Sequence, residues 1–407
     1  MSELLDWLLS PVAIRARAEQ FYTYVSEGRS AYFTLEAGRL EPVADYVAAV
    51  IRANYPSLRI PYHARWRHFG DRWDRLAPRF QDGMHPDEVA RIRFDLAVVS
   101  VLLDAGAGAA WRYQEAETGQ VLARSEGLAV ASLHAFQKGV FSRLPEAQPC
   151  RADADGLERL DVTDIAQAFQ VSADNPLDGL EGRTRLLRDL GAALRASPAL
   201  FDRDGEVPRI GHLFDYLKAQ AQDGALPAAA ILKALLRGLG PVWPGRIVFE
   251  GVNLGDCWRH EAAVSDDATD GLVPFHKLSQ WLAYSLVEPL EEAGIRVLDL
   301  DALTGLPEYR NGGLFIDLGV LRLKQPDLAA ERLPPGHPAV VEWRALTVAL
   351  LDRLAPPLRQ RLGKSQAELP LASLLEGGTW AAGRKAAAER RPGGTPPLNI
   401  VSDGTVF

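Results

Sequence analysis

Helical spacing of apolar residues is the feature that most constrains the fold of this chain. Apolar side chains recur at intervals of three and four over segments several turns long, a pattern typical of amphipathic helices. Segments that alternate like strands are few and short. The sequence therefore predicts a mainly α-helical protein. The predicted helices cover Pro11–Ser26, Val43–Asn54, Pro86–Leu103, Gly179–Ala193 and Pro227–Leu239.

A small β element and one candidate break interrupt this helical pattern. The segments WRYQE and TGQVLAR, around Gly119, predict a β-hairpin insertion near residues 111–124. The best candidate break lies near residues 146–156, but this segment is too short to prove separate domains. We expect residues 1–407 to form a single compact domain, with two lobes as the alternative. The basic, Pro- and Gly-rich part of the tail from Ala381 is predicted to be irregular.

Composition and charge exclude several classes of protein. A hydrophobic fraction of 47% and a charged fraction of 24% are those of a soluble globular protein, and no stretch reaches the roughly 18 apolar residues of a membrane span. The net charge of -8 argues against a nucleic-acid partner, although a local pocket can still bind a small anion. The first residues are not predicted to form a secretory signal, because they lack a basic start and a small-residue cleavage site. With Cys150 and Cys257 far apart, a cytoplasmic location is expected.

The plausible chemistry concentrates between Leu272 and Gly313. Pro274 suits the first turn of an amphipathic helix, in which His276 and Lys277 lie near the amino terminus. A cation and an imidazole at that helix end would both attract an anion. The apolar face of the helix is formed by Phe275, Leu278, Leu282, Leu286 and Leu290.

A polar turn follows about thirty residues later, in LTGLPEYRNGG. Proline and glycine mark an irregular turn or a helix entrance, so the polar side chains between them are presented together. These side chains are Glu308, Tyr309, Arg310 and Asn311. The alternative for both segments is a capped surface helix and a polar turn without further function.

The segment Ile60–Trp73, IPYHARWRHFGDRW, is dense in arginine and aromatic residues. His63 and His68 are five residues apart and do not share a helix face, so they do not predict a metal pair. Two interpretations remain open. The segment is either a structural cluster held by cation–π contacts, or a pocket lining in which Arg65 and Trp66 contact a substrate.

Two further carboxylates are candidates for the same pocket. Asp104, in LLDAGAG, ends an apolar helix. The glycines that follow it match no nucleotide-binding fingerprint, so a helix end followed by a turn is the simpler interpretation. Asp256, in GVNLGDCWRH, either faces the pocket or forms a turn. Cys257 beside it has no organised base and is not predicted to be a nucleophile.

Blocks spread over nearly the whole chain resemble one protein family. They are IPYHARWRHF, SVLLDAGAG, RSEGLAVASL, GVNLGDCWRH, VPFHKLSQW, LTGLPEYRNGG and the terminal SDGTVF. Together they resemble the uracil-catabolism protein family of the URC pathway. In that pathway uracil is converted to its ribonucleotide, the ring is opened and urea is released. The resemblance implies a step that acts on a ribosylurea or a related phosphorylated intermediate.

The order of VPFHKLSQWLAYS and LTGLPEYRNGGLFIDLGVL is also similar to the queuosine-salvage nucleosidase family. Those proteins are helical, akin to DNA glycosylases, and hydrolyse the N-glycosidic bond of a nucleotide. The similarity implies a DNA glycosylase-like helical body. The lysine that fits the 5′-phosphate in that family matches Lys277. Its catalytic aspartate matches Glu308, whose side chain is one methylene longer, while Tyr309 and Arg310 are retained.

These inferences give one hypothesis, an N-glycosyl hydrolase that releases urea from a ribosylurea 5-phosphate. Cleaving an N-ribosyl bond builds positive charge on the sugar. A nearby carboxylate can either stabilise that charge or activate the attacking water. Glu308 and Asp256 are the predicted catalytic residues, with Asp104 and Asp317 as other candidate acids. The predicted substrate-binding residues are Lys277, His276, Arg310, Tyr309, Asn311, Arg65, Trp66 and Asp104.

Two other classes of function remain open. A metal-dependent amidohydrolase that cuts the ureido group would need clustered ligands, and the histidines form no HxH or HExxH pair. A non-catalytic partner of the ring-opening enzyme is the second alternative. We predict no metal, no cofactor, no nucleic-acid partner and no membrane partner; the expected partner is a small phosphorylated ribosyl substrate.

Overall fold

The computed structural model describes residues 2–81, 83–104, 106–203 and 205–401, and α-helices dominate these ranges. The prediction of a mainly α-helical protein is confirmed. The α-helices are α1 (Glu3–Leu8), α2 (Pro11–Ser26), α3 (Leu40–Asn54), α4 (Arg72–Leu76), α5 (Pro78–Gln81), α6 (Pro86–Leu102), α7 (Arg124–Gln137), α8 (Ala154–Glu158), α9 (Val162–Ala168), α10 (Leu180–Ala196), α11 (Pro198–Phe201), α12 (His212–Gln220), α13 (Ala228–Leu239), α14 (Lys277–Glu292), α15 (Tyr309–Asp317), α16 (Pro338–Leu362), α17 (Leu371–Leu374) and α18 (Trp380–Arg390).

The strands are short and form small two-stranded sheets. They are β1 (Phe33–Leu35), β2 (Tyr113–Gln114), β3 (Val121–Leu122), β4 (Ala225–Pro227), β5 (Val248–Phe249), β6 (Val252–Asn253), β7 (Cys257–Arg259), β8 (Leu272–Pro274), β9 (Arg296–Leu298), β10 (Leu321–Leu323), β11 (Arg332–Leu333) and β12 (Asn399–Ile400). The pairs β1–β10, β2–β3, β5–β6 and β7–β8 are antiparallel, whereas β4–β9 and β11–β12 are parallel. The predicted hairpin near residues 111–124 is confirmed as β2 and β3, and Gly119 supplies a positive φ of 71° in its turn.

The chain forms two compact units. The first comprises Met1–His63, Arg246–Gln280 and Asp299–Phe407, and the second comprises Ala64–Gly245 and Trp281–Leu298. The candidate break near residues 146–156 lies inside the second unit. Whether the whole chain behaves as a single domain stays a prediction.

Local sequence signals account for the helix boundaries. Helix α2 runs over Pro11–Ser26 as predicted, because Ser10 Oγ accepts a hydrogen bond from Ala13 N at 3.3 Å and a proline occupies the first helical position. The other predicted helices correspond to α3, α6, α10 and α13, with ends that differ by a few residues.

Helix α16 forms much of the core of the first unit. It is 25 residues long and buried over most of its length. Val341 and Ala345 on α16 pack in one apolar cluster with Phe21 of α2 and with Phe275. Full burial of a large apolar side chain such as Phe21 or Phe275 contributes about 1.5–3 kcal/mol to the stability of the folded state. This contact stabilises the frame that carries the candidate site.

The basic tail is helical where irregular structure was predicted. Helix α18 spans Trp380–Arg390, and its alanine-rich sequence favours a helix over the loop that the basic residues and neighbouring glycines indicated. A Cβ atom at Gly383 would collide with the main-chain oxygen of Arg310, so this glycine lets α15 pack directly on α18. The prediction is wrong for this helix. The terminal block SDGTVF, residues 402–407, lies outside the described residues.

Candidate active site

Helix α14 begins at Lys277, later than predicted. Pro274 lies in β8 and not in a first helical turn, so that prediction is wrong. The main-chain oxygen of Asp256 accepts hydrogen bonds from Phe275 N at 2.9 Å and His276 N at 3.2 Å, which holds these residues beside β7. His276 then turns the chain into the helix with a φ of +49°. This strained turn is supported by the surrounding hydrogen bonds.

The carboxylate of Asp256 is buried and fully engaged. Arg344 donates a hydrogen bond of 2.8 Å to each of its oxygens, Trp258 Nε1 donates at 2.7 Å, and Lys277 N donates at 3.0 Å. Burial raises the pKa of Asp256, but the ion pair and hydrogen bonds with Arg344 outweigh it and hold the pKa well below its ordinary value. Asp256 is therefore an anion that caps the start of α14. Its predicted catalytic role stays a prediction.

The two predicted motifs are joined by hydrogen bonds. Arg344 Nε donates to the main-chain oxygen of Pro307 at 3.2 Å, so the partner of Asp256 also holds the residue before Glu308. One turn along α14, Gln280 Nε2 donates to Thr304 Oγ1 at 2.8 Å and Gln280 Oε1 accepts from Thr304 N at 3.3 Å. The start of α14 and the turn that precedes α15 are thus fixed against each other within the first unit.

Glu308 is the N-cap of α15. Its Oε2 accepts a hydrogen bond from Arg310 N at 2.7 Å, and its Oε1 accepts one from Asn311 N at 2.5 Å. Burial raises the pKa of this carboxyl above its ordinary value, although these two hydrogen bonds and electrostatic interactions with Lys277 and His63 act in the opposite direction. The capped helix that the alternative interpretation of this segment predicted is therefore present. In addition, the cap is a buried carboxyl within electrostatic reach of Lys277.

The residues after Glu308 have distinct environments. Arg310 stacks on the ring of Tyr309, with 4.9 Å from its Cζ to the ring centroid, and donates a hydrogen bond of 2.7 Å to Gly394 O. Asn311 is fully buried, and its Nδ2 donates to Leu306 O at 3.1 Å. No described residue donates a hydrogen bond to Asn311 Oδ1. A buried acceptor without a donor costs free energy, which indicates a place for a ligand or water donor.

His276 holds a different part of the first unit. Its Nε2 donates to the main-chain oxygen of Leu8, in α1, at 2.9 Å. Burial lowers the pKa of this fully enclosed imidazole, so the ring is neutral. A neutral imidazole with this hydrogen bond fixes the turn before α14, which gives His276 a structural role. Its predicted contact with a substrate anion stays a prediction.

Sequence reasoning missed a carboxylate–imidazole pair in the same unit. His63 Nδ1 lies 2.7 Å from Glu376 Oε2, and both side chains are largely buried. Glu376 belongs to a π-helical turn, Leu375–Thr379, between α17 and α18. Such turns are rare and often occur at functional sites. The glycine pair in LEGGTW was the available sequence signal, because adjacent glycines inside a helix are unfavourable without a packing reason.

The remaining predicted site residues, Arg65, Trp66 and Asp104, belong to the second unit. Arg65 is fully buried, with Nη1 3.0 Å from Asp104 Oδ1 and Nε donating to Ser100 Oγ at 2.7 Å. Trp66 Nε1 donates to Ser285 O at 2.7 Å. The Cζ atom of Arg65 lies 5.7 Å from the Trp281 ring centroid, in the cation–π cluster of the structural interpretation. These contacts account for all three residues, whose predicted role in substrate binding stays a prediction.

Two other candidates are held by local chemistry. Both oxygens of Asp317 accept hydrogen bonds of 2.7 Å from Arg391, which assigns this carboxylate to an ion pair between α15 and the end of α18. Cys257 is buried, and burial raises the pKa of its thiol to about 12. The thiolate that a nucleophile requires is therefore disfavoured at neutral pH.

Among the residues that the structure describes there is neither a metal cluster nor a membrane-spanning helix. Over the residues that the structure describes, no three His, Cys, Asp or Glu side chains cluster as a metal site. None of the helices in this part of the chain combines the length and the apolar character needed to cross a membrane.

The fold and the site define a mainly α-helical protein with a buried carboxyl at the start of one helix and a lysine at the start of another. The chain belongs to the family described as "Protein of unknown function (DUF1688)", which matches residues 7–407. It is 39% identical over 440 residues to "Uracil catabolism protein 4" of Lachancea kluyveri, covering 99% of each chain. It is also 39% identical over 417 residues to "Protein urg3" of Schizosaccharomyces pombe, covering 100% of both. The predicted resemblance to the uracil-catabolism family is confirmed.

Proposed function

We propose that this protein acts in uracil catabolism as a hydrolase that cleaves the N-glycosidic bond of ribosylurea 5-phosphate and releases urea. The name of the Lachancea kluyveri relative supports the pathway. The observation that carries the reaction is the position of Glu308, a buried carboxyl with a raised pKa on which the charge of Lys277 acts. Perturbed carboxyls of this kind are typical of acid–base sites.

The chemistry of the bond requires a proton donor. The anion of urea is a poor leaving group, so breaking the bond between C1′ and nitrogen is easier when the ureido group receives a proton. A raised pKa keeps a larger fraction of the Glu308 carboxyl protonated near neutral pH. After it donates the proton, the carboxylate stabilises the positive charge that develops on the ribose.

Lys277 is assigned to the 5-phosphate. It occupies the first position of α14, and its main-chain N–H is fixed by Asp256. Arg344 supplies the counter-charge of Asp256. Binding of the phosphate at a fixed cation would orient the sugar and deliver C1′ to Glu308, because binding energy at a remote group serves to position the reacting atoms.

Asn311 is assigned to the ureido group. Its Oδ1 atom is buried in the first turn of α15 and accepts no hydrogen bond from a described residue. A ureido group carries N–H donors that would satisfy this acceptor. A site that pairs a buried acceptor with a substrate N–H rejects analogues without it, which favours ribosylurea over a plain ribose phosphate.

Purified protein incubated with ribosylurea 5-phosphate tests the proposal. We expect equal amounts of urea and ribose 5-phosphate, measured by a urease-coupled assay and by NMR. Glu308→Gln should lower kcat by about 10²-fold or more, whereas the exposed control Glu331→Gln should retain it. Absence of urea from the wild-type reaction, or full activity in folded Glu308→Gln, would contradict the proposal.

The same experiment distinguishes the two alternative functions, because each predicts a different product. An amidohydrolase would release ammonia and carbon dioxide from the ureido group and leave the ribosyl nitrogen attached to the sugar. A non-catalytic partner would release nothing until the ring-opening enzyme was added. No contact among the described residues specifically favours either alternative.

A further inference from the structure

The structure contains a second acid–base group in the first unit, formed by His63 and Glu376. The carboxylate can only accept a hydrogen bond, so the 2.7 Å contact assigns the proton of the imidazole to Nδ1. The other ring nitrogen, Nε2, then carries the lone pair. A histidine oriented in this way by a carboxylate is the arrangement that prepares an imidazole to act as a general base.

The main chain around both residues is fixed. His63 N donates to Ala372 O at 3.0 Å, and Ser373 Oγ donates to Ile60 O at 3.1 Å, so the segment before His63 is bound to α17. In the π-helical turn, Gly377 packs against Ile60 so closely that an added Cβ would lie 2.8 Å from its side chain. This close approach requires glycine and places Glu376 beside the imidazole.

Helix α18 contacts both the His63 ring and the first turn of α15. The ring of Trp380, at the start of α18, lies 5.9 Å from the His63 ring. Gly383, one turn later, is the point at which the main-chain oxygen of Arg310 packs on the helix. Residues three apart share a helix face. The Glu308 carboxyl also interacts electrostatically with His63.

We propose that His63, oriented by Glu376, is the general base that accepts a proton from the attacking water, while Glu308 donates the proton to the leaving urea. This inference rests on the proposed function and divides the acid and base roles between two groups. Glu376 is a positioning residue, because it acts on the imidazole and not on the substrate.

The step balances without any co-reactant. The water oxygen forms a bond to C1′ as the bond from C1′ to nitrogen breaks. One water proton goes to His63 Nε2, and the proton of the Glu308 carboxyl goes to the departing nitrogen. The products are ribose 5-phosphate and urea. Return of a proton from His63 to Glu308 through solvent restores the starting state.

Replacement of His63 tests its role as base. His63→Ala should lower kcat by about 10²-fold or more with little change in KM, and added imidazole should restore part of the loss. If His63→Ala fails to fold, His63→Gln replaces it, because its amide can still pair with Glu376. The kcat of His63→Gln should fall by the same factor. His85→Ala removes an exposed imidazole and should keep full activity.

Glu376→Gln tests the positioning role. It should lower kcat by a smaller factor than His63→Ala while KM stays near the wild-type value. In ¹⁵N NMR of labelled histidine, the wild-type His63 should show the tautomer protonated on Nδ1, and Glu376→Gln should weaken that preference. Glu331→Gln, at an exposed position, should change neither quantity.

The two proposals fail in different ways. Wild-type protein that releases no urea would overturn the proposed function and this inference with it. Wild-type turnover that persists undiminished in folded His63→Ala and His63→Gln would overturn the assignment of His63 alone. An Nε2-protonated His63 tautomer in the wild type would equally contradict it, whatever the activity.

Discussion

Arg344 donates a hydrogen bond of 2.8 Å to each oxygen of Asp256, and its Nε donates a third, of 3.2 Å, to Pro307 O. One side chain of α16 therefore holds both the residue that caps α14 and the residue that precedes Glu308. Because Asp256 also binds Lys277 N, this buried ion pair is connected to both the lysine and the acid.

The ion pair should be essential for stability. Arg344→Ala leaves the Asp256 carboxylate buried without its counter-charge, so the free energy of unfolding should fall by about 3–5 kcal/mol. Urea denaturation monitored by circular dichroism measures this loss. The more exposed pair of Arg353 and Glu19 provides the comparison, and Arg353→Ala should cost about 1 kcal/mol or less through the lost ion pair. Equal losses in both variants would contradict the special role of Arg344.

Lys277→Met should discriminate between phosphorylated and unphosphorylated substrates. A hydrogen bond to a charged group contributes about 1.5–3 kcal/mol, so KM for ribosylurea 5-phosphate should rise about tenfold or more. Steady-state kinetics with ribosylurea should show little change. Lys385→Met, at a side chain that is 54% exposed, serves as the control. An equal loss on both substrates would refute the assignment of Lys277 to the phosphate.

The pH dependence of turnover should report Glu308. Burial raises the pKa of its carboxyl, and the proposed mechanism requires the protonated form, so kcat should fall as pH rises through that raised value. A profile of kcat against pH measures this decline in the wild type. The residual activity of Glu308→Gln should lack this descending limb. Wild-type activity that instead rises over the same range would show that the ionised carboxylate is the working form.

Glu342 should make stability depend on pH. Its carboxyl is 1% exposed, Ser30 Oγ donates to Oε1, and no described residue donates to Oε2. Burial raises the pKa of Glu342 from 4.5 to about 7. The folded state binds this proton more tightly, so the stabilisation is complete below about pH 4.5 and is lost as pH rises through about 7.

Urea denaturation between pH 5 and 8 checks this prediction. The contribution of Glu342 to the free energy of unfolding should decrease with pH by an amount on the order of 3 kcal/mol. Glu342→Gln cannot ionise and should flatten this part of the curve, whereas the exposed control Glu331→Gln should leave it intact. Parallel curves for the wild type and Glu342→Gln would contradict the assignment.

Several features of the site could be predicted from short stretches of sequence. Their polar residues, spacing and resemblance single out VPFHKLSQW and LTGLPEYRNGG as candidate segments, and the structure joins these segments through Gln280 and Thr304. The start of α14 was misplaced because Pro274 is acceptable both at a helix start and in a short strand. The hydrogen bonds from Phe275 and His276 to Asp256, distant in sequence, select the strand.

The pairing of His63 with Glu376 could not be predicted, because these residues are far apart in sequence and no spacing rule relates their two segments. His63 was considered only together with His68, at a spacing that excludes a metal pair. The carboxylate that binds it comes from a π-helical turn, and nothing in the local periodicity of LEGGTW specifies that geometry.

The sequence by itself determined the helical class, the position of the hairpin and the approximate extents of helices α2, α3, α6, α10 and α13, because periodicity, capping and turn residues act over a few neighbouring positions. Only the tertiary structure decided which charges are neutralised and which carboxyls have a lowered or a raised pKa. Asp256 and Glu308 are both buried acids at helix starts, yet an arginine from α16 lowers the pKa of one and burial raises that of the other. Ionisation depends on partners brought together by packing, and packing joins residues across the whole length of the chain.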